Sequence, residues 1–344
     1  MPMHAMTVAL VLAMTGILLV PANAASAESV NLYSARKEAL VRPLLDAFTE
    51  ASGTEVRLVT AKGGQLHQRL LAEGENSPAD VLLTVDAGNL WRAAEAGLLR
   101  AVNSAYLDAT VPATYRDPDG RWYGLSLRAR AVVYATERVS GTDLADHLDG
   151  YLELADPVWR GRVAVRSSNS IYNQSLIAAV IANYGPEVAE RWAHGLVENF
   201  ARPPSGGDRD QIRAVVSGEA DLSIVNSYYY AVLLGSNEAD WMAGTAIYFP
   251  ADAQMGAHVN VSGAGVTRHA PHPDAALALI EFLASPEAQS LYAELNHEFP
   301  VHPDVAPSGV VAEWGSITTD DIPVVQFGRL NPDAVRIADR AGWN

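Results

Sequence analysis

Residues 226–234 read NSYYYAVLL, which puts three phenols side by side at Tyr228, Tyr229 and Tyr230. Neighbouring side chains alternate faces in a strand and fan out by about 100° in a helix, so the three cannot share one core. The preceding run, 220–225, reads as a buried strand, and Asn226 and Ser227 are good helix caps. Tyr228 and Tyr229 then fall in the first turn of a helix at a strand C-terminus. Free N–H groups and the helix dipole favour negative charge there by about 0.3–1 kcal/mol. Ionising a tyrosine of pKa about 10 at pH 7 costs about 4 kcal/mol. A hard, highly charged cation can supply that, and Fe3+ is the common biological ion that suits phenolate oxygen. The residues alone leave this open against a pair of packing aromatics with wet hydroxyls. Tyr230 points away from its neighbours and reads as structural.

Other chemistry is thinly represented. The chain has no cysteine, which excludes thiolate metal sites, thiol nucleophiles and disulfides. HExxH, GxSxG and P-loop patterns are missing. His269 and His272 are flanked by Pro271 and Pro273 and read as loop residues rather than a zinc pair. Ser262-Gly263-Ala264-Gly265 lacks the third glycine and following helix of a dinucleotide fingerprint. Arg36, at the end of the first expected strand, is a candidate for holding an anion. Arg128 and Arg130 alternate onto one strand face and could form a fork toward a cleft. Ser168 and Ser170 offer hydroxyls at a helix start. Caps and surface ion pairs explain each of these equally well.

The elements that must position these groups follow from composition and periodicity. The chain has 344 residues, 49% of them hydrophobic, enough for one large core or two medium ones. Its net charge of −16 makes nucleic acid and anionic membranes poor partners. An uncharged apolar run at 5–20, followed by Ala22-Asn23-Ala24 and Ala25-Ser26-Ala27, reads as a signal peptide over 1–27, cleaved after 24 or 27. The mature protein is then exported, without membrane insertion of its own. Strands at 30–33, 55–59 and 81–85 alternate with helices at 36–52, 65–73 and after 86, a β-α-β-α-β rhythm typical of a parallel sheet flanked by helices. Two β-rich runs within 117–139, with no helix between them, mark a crossing into a second lobe. HVNVSGAGV at 258–266 reads as a strand with a glycine turn that crosses back. The expected fold is α/β with two lobes, each a mostly parallel sheet, and a ligand cleft between them. The first lobe takes 28–130 plus about 255–305, the second about 131–254 plus 306–344.

VNLYSARKEALVRPLLDAFTEASG, SPADVLLTVDAGNLWRAAEAGLL, RSSNSIYNQSL, DRDQIRAVVSGEADLSIVNSYYY and HVNVSGAGVTRHAPHPDAALALIEFL, in this order, resemble the periplasmic ferric-iron-binding proteins of ABC importers. The resemblance implies Tyr228 and Tyr229 as iron ligands, with Tyr172 as a third from the tyrosine-rich branch of that family. It implies an anion contact at Asn226, beside the candidates Arg36, Arg128 and Ser170. It also implies a synergistic anion, often carbonate, where protein ligands are lacking. The first lobe departs from the pattern. Several relatives carry His-Tyr where this chain has Lys37-Glu38, and others a glutamate where it has Lys62-Gly63-Gly64-Gln65. Glu38 is the chemically sensible first-lobe oxygen donor, but a solvated residue in a first helical turn is the preferred reading.

The resulting expectation is a monomeric periplasmic protein, not an enzyme. It captures Fe3+ by phenolate coordination and hinge closure and delivers it to an ABC permease in the inner membrane. A binder of an organic or oxyanion solute is the alternative, and a secreted hydrolase using the same cleft a more remote one.

Overall fold

The computed structural model describes residues 29–344, so the expected leader and both cleavage points lie outside the described residues. The chain opens with β1 (Ser29–Ser34), α1 (Glu38–Ser52), β2 (Glu55–Thr60), α2 (Gly63–Glu73), β3 (Val81–Thr84) and α3 (Ala87–Glu95). β1 lies between β2 and β3, parallel to both, in registers that include Ser34↔Thr60 and Ser34↔Leu83. The apolar run of β3 is buried throughout, as a strand covered on both faces must be. α1 buries Val41, Leu44, Leu45 and Phe48 at helical spacing and stops at Gly53, whose φ of 74° suits the left-handed cap. α3 is capped by Asp86, which accepts from the Asn89 N–H at 2.9 Å.

After α4 (Ala105–Thr110) comes β4 (Tyr123–Ala135), one strand of 13 residues where two short runs were expected. Then follow α5 (Gly141–His147), β5 (Val163–Ala164), α6 (Ile171–Tyr184), α7 (Pro186–Glu198), α8 (Asp208–Val216), β6 (Leu222–Asn226), α9 (Ser227–Leu234) and β7 (Thr245–Tyr248). The chain ends with β8 (Val259–Val266), α10 (Pro273–Leu283), α11 (Pro286–Asn296), α12 (Gly309–Glu313), α13 (Val325–Arg329) and α14 (Asn331–Ala341).

The strand order is β2-β1-β3-β8-β4-β6-β5, with β7 also on β4. β4 joins the two lobes. Its Tyr123–Ala129 part pairs antiparallel with β8, and Arg130 onward pairs with β6 and β7. The parallel pairs expected in each lobe are present as β1–β2, β1–β3 and β5–β6, while all pairings of β4 and β8 are antiparallel. β8 contains no glycine turn. It is continuous, and a Cβ on Gly263 or Gly265 would run into the Tyr123 or Arg121 carbonyl. The glycines let two backbones approach rather than let the chain bend. α14 packs on α6 and α7, and α13 wedges against α3 and α6. No helix among the described residues is long and apolar enough to cross a membrane.

Candidate metal centre

β6 is wholly buried and aims the chain at the first turn of α9. Asn226 is the N-cap residue, yet its side chain makes no capping bond. Its Oδ1 accepts from Arg130 Nη1 at 3.1 Å, and its backbone N–H donates to Asp208 Oδ2 at 2.9 Å. Asn226 Nδ2 and Ser227 Oγ are buried without a protein partner. Asp208 is itself held by Arg130 at 3.2 Å and Arg166 at 3.3 Å. Arg130 also donates to Asn173 Oδ1 at 2.6 Å. Arg130 therefore braces the starts of α6 and α9 and is not an open fork toward the cleft.

Tyr228 and Tyr229 emerge half-buried, with ring centroids 4.1 Å apart and planes 31° apart. Tyr230 turns inward as expected. It is buried, donates to the Thr245 carbonyl at 3.1 Å, and packs on Trp314. Tyr172 is the second residue of α6, after the N-cap Ser170. Two guanidinium groups flank its ring, Arg128 at 5.5 Å and Arg166 at 5.6 Å from the centroid. Arg128 Nη1 donates to the Tyr172 hydroxyl at 3.4 Å. Burial pushes the Tyr228 pKa well above 10, and the Tyr172 and Tyr229 phenols push it further, while Arg128 pulls it down. The Tyr229 phenol is likewise raised, mainly by burial. Tyr172, Tyr228, Tyr229 and Arg128 thus share one electrostatic site.

Arg128 is 3% exposed and forms no ion pair with a carboxylate among the described residues. Its Nη2 donates to the Val85 carbonyl and its Nε has no partner. Glu298 is near enough to favour the Arg128 cation but is already ion-paired to Arg36, so the site is electrostatically prepared for phenolate or another anion. Ser170 Oγ, at the N-cap of α6, is also a buried atom without a partner.

Arg36 departs from its expected role as an open anion fork. Both terminal nitrogens face Glu298, at 2.7 and 3.1 Å, and Nη1 donates to Ser262 Oγ at 2.8 Å. Burial lowers the Arg36 pKa, but the Glu298 carboxylate outweighs it and the net shift is upward. Burial raises the Glu298 pKa, and Arg36 with Arg128 brings it below the usual carboxylate range. The pair neutralises itself. Glu298 had no signal in the sequence, since it lies in a loop 262 residues from its partner. Glu38 is exposed and bonded to Arg42 at 2.7 Å, which fits the solvated reading.

No group of three His, Cys, Asp or Glu side chains suited to a metal occurs among the described residues. His272 is tied to Asp80 at 3.1 Å. A metal centre here must rest on phenol oxygens, which are hard donors matched to a hard cation. The hydrolase alternative finds no site in the Ser175–His258 contact of 2.9 Å. Both residues are buried, and His258 Nδ1 has no partner.

Solved structures share this architecture. The Trichodesmium IdiA (FutA) protein, solved in complex with iron and citrate, is 43% identical, with a TM-score of 0.87 over 92% of this chain and all of that one. The open conformation of ferric iron-binding protein A from Mannheimia haemolytica is 39% identical, with a TM-score of 0.86 over 92% of this chain and 99% of that one. Among characterised relatives, iron uptake protein A2 of Synechocystis is 44% identical over 93% of this chain and 91% of its own length. The major ferric iron-binding protein of Neisseria meningitidis is 29% identical over 91% and 92%. Residues 44–319 match the family described as bacterial extracellular solute-binding protein, and the chain belongs to that family.

Proposed function

We propose that this protein binds ferric iron outside the cytoplasm and hands it to an ABC-type permease in the inner membrane. The observation that carries the reading is the convergence of Tyr172 and Tyr228, with Tyr229 packed on Tyr228, on a buried arginine that has no carboxylate ion pair among the described residues. The names of the relatives, which are iron uptake and ferric iron-binding proteins, support the same cargo. Three phenolates balance the charge of Fe3+. Arg128, Ser170 Oγ and Asn226 Nδ2 are then free to hold a synergistic anion such as carbonate. Arg36 contributes to the wall through its pair with Glu298 rather than as a free cation.

The protein acts as a periplasmic monomer and binds without catalysing a reaction. Residues 28–130 with about 255–305 form the first lobe, and about 131–254 with 306–344 the second. The change of partner along β4 between Ala129 and Arg130 supports the first boundary. The packing of α14 on α6 and α7 supports the last assignment, although α13 leans on α3 as well. Closure about β4 brings the first-lobe wall over the metal and excludes water.

Purified apo protein titrated with ferric citrate tests the reading. A visible phenolate-to-iron band should appear, and Tyr172→Phe, Tyr228→Phe and Tyr229→Phe should each bleach or shift it. A colourless titration, or full colour in all three variants, refutes it.

A further inference from the structure

β4 and β8 run side by side, and their register sets Arg128 directly opposite Asn260. Side chains at opposed positions of an antiparallel pair lie on the same face. These two reach the same pair of neighbours. Arg128 donates through Nη2 to the Val85 carbonyl and through Nη1 to the Tyr172 hydroxyl, at 3.4 Å. Asn260 Nδ2 donates to Asp86 Oδ2 at 2.7 Å and to Ser175 Oγ at 2.6 Å. One arm of each residue holds the turn between β3 and α3, and the other holds α6. Ser175 comes three residues after Tyr172, so the two lie one above the other on a single face of that helix.

Asn260 is 4% exposed, and its amide is fully engaged. Oδ1 accepts from the Ala87 N–H at 3.0 Å and from the Val261 N–H at 2.8 Å. Two backbone donors at one end and a carboxylate at the other fix which end is oxygen. Asp86 uses its other oxygen to cap α3 through Asn89. Ser175 Oγ also meets His258 Nε2 at 2.9 Å. Aspartate has the same shape as Asn260 but no donor for Asp86 or Ser175, and it would set two carboxylates against each other.

We propose that Asn260 is a positioning residue for the metal centre, setting the distance between the β3–α3 turn and the helix that presents Tyr172. This rests on the ferric reading above. Arg128 acts on the phenol through its charge, and Asn260 acts on the helix beneath it. In the lobe division above, α3 and α6 belong to opposite lobes. Closure and placement of the Tyr172 oxygen are then one movement, geared through a single amide, and loss of either arm lets iron escape faster.

The test is release of iron to excess chelator, followed by the fading of the visible band. Asn260→Ala should release iron about 10- to 100-fold faster than wild type, the usual scale for removing a group that orients a metal ligand. Asn260→Asp should be at least as fast. Combining Asn260→Asp with Asp86→Asn exchanges donor and acceptor while keeping the α3 cap, and should bring the rate to within about threefold of wild type. Asn199→Ala is the control. Asn199 is 1% exposed and donates to the Leu154 and Asp156 carbonyls, so its loss should lower the melting temperature without changing release. A second readout needs no iron. In apo Asn260→Ala, amide hydrogen exchange should speed up over the first two turns of α3 and α6 and stay unchanged in α1. Ser175→Ala, which removes only the arm on α6, takes the same tests if Asn260→Ala does not fold. Wild-type release or unchanged exchange in the alanine variant, an unrescued double variant, or equally fast release from Asn199→Ala overturns this role and leaves the ferric reading intact. Wild type without a visible band overturns both.

Discussion

Replacing Arg128 with glutamine separates a functional charge from a structural one. Arg128 Nη1 lies 3.4 Å from the Tyr172 oxygen. At an effective dielectric constant of about 20, a unit charge at that distance stabilises a phenolate by about 5 kcal/mol. The arginine is already 3% exposed without metal, so little of its own desolvation is left to enter the binding equilibrium. Tyr172 is only half-buried, and solvent screens part of the attraction. A loss of about 2–4 kcal/mol, roughly 30- to 1000-fold in iron affinity, is expected. Stability should behave differently. Removing a buried cation that has no carboxylate partner relieves the apo protein, so its denaturation midpoint should hold or rise. The assay is a visible titration against a competing chelator, paired with thermal melts of the apo form. Arg128→Lys, which keeps the charge but not the fork, should retain more affinity than Arg128→Gln. Unchanged affinity in the glutamine variant, or an affinity loss matched by a lower melting temperature, would refute the reasoning.

Four further outcomes are expected. Tyr230→Phe should keep the visible band and lose about 0.5–1.5 kcal/mol of stability in denaturant melts, because it forfeits the bond to Thr245. Glu38→Gln should leave iron affinity within about twofold, since an exposed pair with Arg42 contributes little. Glu298→Gln should cost about 3–5 kcal/mol in the same melts by leaving Arg36 buried and unpaired. Burial holds the His258 pKa at about 3 when folded, against about 6.5 unfolded, so the unfolded chain binds the extra proton between those values. Stability is then lost as pH falls below 6.5, by about 2 kcal/mol at pH 5, and His258→Gln should flatten that part of the profile in apo melts.

The local features of this fold were legible because they follow local rules. The buried run of β3, the Asp86 cap and the Gly53 stop are each set by a few neighbouring residues. The tyrosine cluster was legible for the same reason, since the strand-cap-helix pattern at 220–230 orients Tyr228 and Tyr229 outward and Tyr230 inward. The charge pairings were not. Arg36 and Arg128 look alike in sequence, and only a glutamate 262 residues from Arg36 makes one half of an ion pair and leaves the other without one. Arg130 was misread through strand alternation, which puts it on the same face as Arg128. Alternation does not reveal that β4 changes sheets between them. The glycines of β8 pointed to a turn by composition, while their use depends on the approach of β4 from more than a hundred residues away.

The place of β8 also bears on the order in which the molecule can assemble. It sits between β3 and β4, pairing with both. A chain growing from its N-terminus makes β1, β2, β3 and β4 long before residues 259–266 exist. Until then β3 and the first half of β4 have no strand to join them, and the central gap in the first sheet stays open. The second sheet, built from β4, β5, β6 and β7, lies wholly within residues that are made earlier. The strands of the first sheet are therefore all present only after those of the second, because the first sheet waits for β8.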